Sequence, residues 1–219
     1  MSTIYTVQQG DHMSSIAEMF ALRSYGTIWN HPQNARLKSL RQNPNVLYPG
    51  DRVYIPDVQE KHELRGTDAS HKFEVASTKL HLKIVIDFPY GPPRANERCQ
   101  LRVDGIRYPV STTDGSGSVD QIIPASSKHG TLKLQDIEVD MRVGELDPVD
   151  TPTGQISRLV NLGYYLGRFD PNDPDPMVFR SAVEEFQCDN MGPGALQAGN
   201  VDGICGPRTQ AKLKEVHGC

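Results

Sequence analysis

The sequence predicts a multidomain α+β chain: a βααβ module, then a small antiparallel β-sandwich, then a helical domain. Two observations carry this. The spacing of apolar residues changes from helical to alternating and back to helical along the 219 residues. The chain is also only 37% hydrophobic with a negative mean hydropathy, which suits several small cores in series better than one large one. These changes place the domains at 1–57, 72–146 and 147–219, with a connection over 58–71.

In the first domain, "IYTV" is a short β-prone run. Gly10 allows a sharp turn after it, and Asp11 suits a helix N-cap. Met13, Ile16, Ala17 and Phe20 then fall at i, i+3, i+4 and i+7, one apolar helix face. A second helix carrying Leu37 and Leu40 follows "SYGTIWNHPQN". "NPNVLYPGD" is a turn cluster, and "RVYIP" is a closing strand stopped by Pro56. Residues 57–71 are polar and without apolar period, as a connection should be.

Alternation with period two marks "KLHLKIVIDF", "RCQLRVDGIRYPV", "GSVDQIIP" and "GTLKLQDIEVDMRV". Asp104-Gly105 between two β runs is a strong hairpin signal. Several short strands at about ten-residue spacing suggest the sandwich. Helical periods return with Ile156, Leu159 and Val160 before Gly163, and with Phe179, Ala182, Val183 and Phe186. "RFDPNDPDPM" reads as a loop because its prolines forbid a continuous helix, and Pro207 stands near the start of a last helix.

Net charge −4 and a pI near 6.0 give no reason to expect a nucleic-acid partner, and the apolar runs fall far short of a membrane span. The start "MSTIYTVQQGDHM" lacks the basic and apolar regions of a signal peptide, so cytoplasmic synthesis is expected. Cys99, Cys188, Cys205 and Cys219 form no C-x-x-C. They read as reduced thiols, with a Cys188–Cys205 disulfide as an open alternative.

From Tyr5 to Pro56, "YTVQQGD", the "IA" of the first helix and "NPNVLYPGDRVYIP" resemble a LysM domain. The resemblance implies a βααβ fold that binds N-acetylglucosamine glycans such as peptidoglycan or chitin. Its groove would lie between Gly10–Ser14 and Asn43–Gly50. His12 stands where that family usually has Thr, and the inter-helix region is longer than in a minimal module. Near the other end, "LVNLGYYLG", "SAVEEFQ" and "VDGICGPRTQAKL" resemble a three-helix peptidoglycan-binding domain. That family usually shows its Asp-Gly-x-x-Gly-Pro-x-Thr signature twice; here "RFDPNDPDPMVFR" replaces the first copy. The overall arrangement is similar to leaderless proteins associated with type VI secretion spikes and related contractile injection systems. That similarity implies a spike or baseplate partner and export on the machine.

The glycan-binding candidates in the first domain are therefore Gly10, Asp11, His12, Met13, Ser14, Trp29, Asn43, Asn45 and Tyr48. Asp11 can cap the helix and contact a sugar at once. Trp29 reads either as a sugar-stacking face or as a core residue between the helices. Tyr48 divides between turn packing and sugar contact. A second candidate surface is Tyr164, Tyr165, Asp202, Gly203 and Thr209, of which the last three also build a turn and a helix cap. No H-E-x-x-H and no G-x-S-x-G occurs, so no catalytic, metal or cofactor site is expected. His81 in its β pattern reads as a surface histidine. The expected function is a non-catalytic peptidoglycan-binding adaptor. The alternative is a structural spike or baseplate component that uses the LysM fold to dock protein.

Overall fold

The structure is a computed structural model that describes residues 2–57, 64–72, 79–86, 92–165, 174–192 and 201–219. It is mixed α+β, with small antiparallel sheets and six α-helices among the described residues. The described residues up to Ile86 and from Pro93 to Glu145 form one compact unit, and Leu146–Cys219 belong to a second. The first unit holds two hydrophobic clusters and the second holds one.

The N-terminal module begins with β1 (Thr3–Thr6), followed by α1 (Met13–Met19), α2 (Gly26–Trp29), a 3-10 turn at Pro32–Asn34, α3 (Ala35–Arg41) and β2 (Arg52–Ile55). β1 and β2 pair antiparallel with Tyr5 opposite Val53. The expected second helix is thus two short helices and a 3-10 turn, because Pro32 can open a helix but cannot continue one. Leu37 is buried as expected, whereas Leu40 is exposed on the outer face of α3. Asn34 locks this broken segment to the sheet. Its Nδ2 donates to Ile28 O at 2.9 Å and Tyr54 O at 2.8 Å, and its Oδ1 accepts from Tyr54 N at 2.8 Å.

The β module follows in the same unit. β3 (Lys79–Val85) pairs with β7 (Ser118–Pro124) as a two-stranded sheet. The second sheet centres on β4 (Arg98–Val103). β5 (Ile106–Arg107) and β6 (Ser111–Thr112) pair with β4, as does β8 (His129–Lys133), which in turn pairs with β9 (Glu138–Arg142). Ile84, Val119 and Ile123 from the first sheet share one cluster with Leu101, Val103 and Leu132 from the second. The Asp104-Gly105 hairpin forms as expected, with φ of 46° and 81°. Both residues are left-handed, as a type I′ turn requires. His81 is exposed and meets Asp120 across the strand pair at 3.1 Å.

The second unit contains α4 (Pro152–Asn161), α5 (Pro176–Asn190) and α6 (Pro207–His217), each with proline in its first turn. Pro176 and Met177 of the expected loop therefore belong to α5, where Asp175 caps Met177 N at 2.9 Å. Residues 168–173 of that loop lie outside the described residues. On α4, Ile156 and Leu159 face the core, but Val160 turns outward. Arg158 lies inside instead, 1% exposed, with Nη1 donating to Asp147 O at 2.8 Å and Gly154 O at 2.7 Å. The buried guanidinium is acceptable because carbonyl oxygens replace the water it loses. All four cysteines are free thiols.

Candidate functional site

The turn after β1 is built from polar groups that satisfy one another. Gly10 has φ +84°, a conformation that costs a glycine little. The carboxylate of Asp11 accepts from Tyr5 Oη at 2.7 Å and from Gln8 N at 2.8 Å. It staples the turn to the strand and does not cap the helix. The N-cap is His12, one residue later than expected. Its Nδ1 accepts from Ser15 N at 3.3 Å, while Ser15 Oγ accepts from His12 N at 3.0 Å. This is a capping box with histidine in place of the usual hydroxyl. Because Ser15 N–H is a donor, Nδ1 must be the bare nitrogen and the proton sits on Nε2.

Every residue of this turn is buried, from Gly10 to Ser14. His12 is 1% exposed and Met13 fully enclosed. Met13 is enclosed by the module's own core, whereas Gly10 and His12 are met by the β module. Lys128 Nζ donates to Gly10 O at 2.6 Å. Gly144, at φ +80°, passes so close that a Cβ there would lie 2.8 Å from Gly10 O and 3.0 Å from His12 Cδ2. The Ala125 carbonyl also faces the imidazole and favours its protonated form, yet Nε2 has no hydrogen-bond partner of normal geometry. Burial foremost, and the Lys128 charge second, hold the His12 pKa below its ordinary value.

The opposite loop is partly open. Met13 N donates to Pro44 O at 2.9 Å, which fixes the loop beside the turn. Asn43 Oδ1 accepts from Asn45 N at 2.9 Å and shapes the loop tip, leaving Asn45 exposed. Tyr48 is 39% exposed, with the Arg41 guanidinium 5.5 Å from its ring centroid. Arg41 is held in turn by a two-pronged pair with Asp51, at 2.7 and 2.9 Å. Trp29 lies in the core at 6% exposure, packed with Ile28, Leu37 and Ile55 in the module's cluster. It presents no open face on which a sugar could stack. Of the nine expected residues, Asn45 and Tyr48 are exposed, Asn43 is half-buried and the other six are enclosed.

In the second unit, Asp202, Gly203 and Thr209 gather around Gln187, a residue that is 1% exposed. Gln187 Oε1 accepts from Asp202 N at 3.0 Å and Gly203 N at 3.1 Å. Its Nε2 donates to Asp202 Oδ1 at 2.9 Å, Thr209 Oγ1 at 3.0 Å and Ile204 O at 3.1 Å. The bond from Gln187, ahead of those from backbone amides, holds the Asp202 carboxyl below its ordinary pKa. Gly203 is a buried part of this turn, Thr209 is buried in the first turn of α6, and Tyr165 is buried in the core. Tyr164 is half-buried and its hydroxyl lies within hydrogen-bond reach of Asp189 and Asn190. It lines a shallow groove of about 260 Å³ with Met177, Val178, Ser181, Ala182 and Glu185.

No protein-family model, no curated protein and no solved structure matches this chain. Among the described residues no helix is long and apolar enough to cross a membrane. No group of three His, Cys, Asp or Glu side chains among them could hold a metal ion.

Sequence reasoning missed Gln187, Asn34, Arg158, Lys128 and Gly144. Each acts on a partner distant in the chain; Gln187 closes the quoted "SAVEEFQ" and Asn34 the quoted "SYGTIWNHPQN", but neither run names the partner. The one available hint was a glycine in "MRVGELDP", right after a strand, where a β-bulge or a close backbone approach is common.

Proposed function

We propose that this chain is a non-catalytic adaptor that attaches to peptidoglycan or a related N-acetylglucosamine polymer. Its proposed setting is a contractile injection or type VI secretion spike. The N-terminal βααβ module is read as LysM, the β module as a small sandwich, and the helical unit as a peptidoglycan-binding-like domain. The observation that carries the reading is the pairing of the Gly10–Ser14 turn with the Asn43–Gly50 loop through Met13 N and Pro44 O. This sets the exposed Asn45 and Tyr48 at the rim beside the turn, an amide and a phenol suited to N-acetyl and hydroxyl groups. The test is co-sedimentation of the full chain with insoluble peptidoglycan beside Tyr48→Ala. Pelleting weakened several-fold in the variant supports the reading, and no pelleting of either protein removes it.

A second reading has its own observation. The Gly10 end of the turn meets Lys128 and Gly144 of the same chain, the kind of protein contact a docking element makes. On that reading the chain is a structural spike or baseplate component, and fold alone does not choose between the two. Stable co-purification with a spike protein, without glycan binding, would favour it.

A further inference from the structure

The cover over Gly10 and His12 is a built piece of the β module. Asp104, in the type I′ hairpin, accepts from Lys128 N at 3.1 Å and His129 N at 2.9 Å. Val143 N donates to Lys128 O at 2.8 Å. The backbone of Lys128 is thus held from two sides, and Gly144 is the next residue after Val143. From this anchored segment the Lys128 side chain reaches Gly10 O, 118 residues away in sequence. Glu145 stands beside the same turn, with its Cγ 3.7 Å from where a Gly10 Cβ would lie.

The chemistry of the contact matters as much as its position. Gly10 O is a turn carbonyl, the kind of acceptor that a sugar hydroxyl or N-acetyl N–H uses. Here an ammonium takes it, and a charged donor makes a stronger hydrogen bond than a neutral sugar hydroxyl. Gly144 occupies the adjoining space, where any side chain would strike the turn. His12 shows that the cover excludes water: its Nε2 proton has neither solvent nor a well-placed acceptor.

We infer that the β module is an intramolecular cover for the sugar-binding rim, with Lys128 and Gly144 standing where a glycan would sit, so that binding at the turn requires the cover to lift. This rests on the glycan reading above and adds regulation to that same site. The wild-type chain is then a weak binder whose affinity is reduced by the fraction of molecules that are open. Spreading the two modules raises affinity without altering any rim residue.

The experiment uses the full chain as wild type, Lys128→Ala and Gly144→Ala. Lys128→Ala removes the bond to Gly10 O without introducing a clash and keeps the test interpretable if Gly144→Ala folds poorly. Two quantities are read: carbethoxylation of His12 by diethyl pyrocarbonate, mapped by peptide mass spectrometry, and affinity for a soluble β-1,4-linked N-acetylglucosamine oligomer. Both are expected to rise about tenfold in Lys128→Ala, the loss of one charge-assisted bond, and further in Gly144→Ala. Unchanged His12 labelling in both variants overturns the cover. So does raised labelling with the oligomer bound equally by all three proteins. Raised labelling with no oligomer binding by any protein removes the glycan reading itself, and the inference with it.

Discussion

Two turns in this molecule pair glycine with aspartate ahead of a helix, and they are held in opposite ways. The Gly10-Asp11 turn leads into α1 through neighbours: Asp11 binds Gln8 N, and His12 and Ser15 cap each other. The Asp202-Gly203 turn leads into α6, whose N-cap Gly206 offers no side chain. Its order comes from Gln187 on α5, 15 residues upstream of Asp202. The first turn is a local device, later roofed by the β module, and the second is a tertiary one. Local caps are a handful of weak, separable bonds. A buried amide meeting five partners at once is a single point of failure.

That contrast is most easily broken at Gln187. Gln187→Ala strands two amide protons and opens a void, and should destabilise the second unit by about 3 kcal/mol or more. Urea denaturation followed by helix circular dichroism checks it. Trp29, the only tryptophan, lies in the first unit, so its fluorescence midpoint should not move. Loss of both signals together would show that the two turns do not belong to independent units.

Acid sharpens the comparison. Burial, with Arg158 adding a smaller effect, pushes the His217 pKa down to about 4. Below its ordinary value near 6.5, the unfolded chain binds a proton that the folded unit refuses. Stability is therefore complete above about pH 6.5 and is lost as pH falls toward about 4. The loss is on the order of 1–2 kcal/mol once solvent screening is allowed for. His217→Asn should flatten the acid limb of the second unit's stability against pH.

In the first turn, Ser15→Ala removes half of the capping box and should cost about 1 kcal/mol in the Trp29-monitored transition. A value as large as that for Gln187→Ala would erase the distinction between local and tertiary support. The smallest effect concerns Tyr5, whose pKa is pushed up to about 12 by burial and by its bond to Asp11. A phenol that ionises less readily when folded contributes stability that is present below pH 10 and is lost as pH rises through about 12. Tyr5→Phe should remove that alkaline loss from the first unit and, by taking one donor from the Asp11 carboxylate, lower its neutral-pH stability by about 0.5 kcal/mol.

The same contrast explains what could be read from the chain alone. Elements specified by neighbours were legible: the Met13–Phe20 face, the Asp104-Gly105 hairpin, Pro207 opening α6 and Gly163 ending α4. Asp11 was misassigned as the cap because its neighbour His12 accepts from the Ser15 amide just as well, while Asp11 is drawn back to Tyr5. The broken helix around Pro32 is held by Asn34 reaching Tyr54, a contact no window of periodicity contains. At the candidate site, the two loops were legible but their accessibility was not. Lys128 and Gly144, which lie against Gly10 and His12, belong to a β module with no chemical signature of its own.

Each hydrophobic cluster draws on an unbroken stretch of chain: Val7–Ile55, Ile86–Val143 and Ile156–Leu213. During synthesis the N-terminal module can therefore close its core before Lys128 and Gly144 have been polymerised. At a ribosomal pace of roughly 5–20 residues per second, the interval is on the order of ten seconds. For that time a nascent copy carries Gly10 and His12 without Lys128 and Gly144 over them. A cellular ligand for the turn would find its widest opening at the polysome.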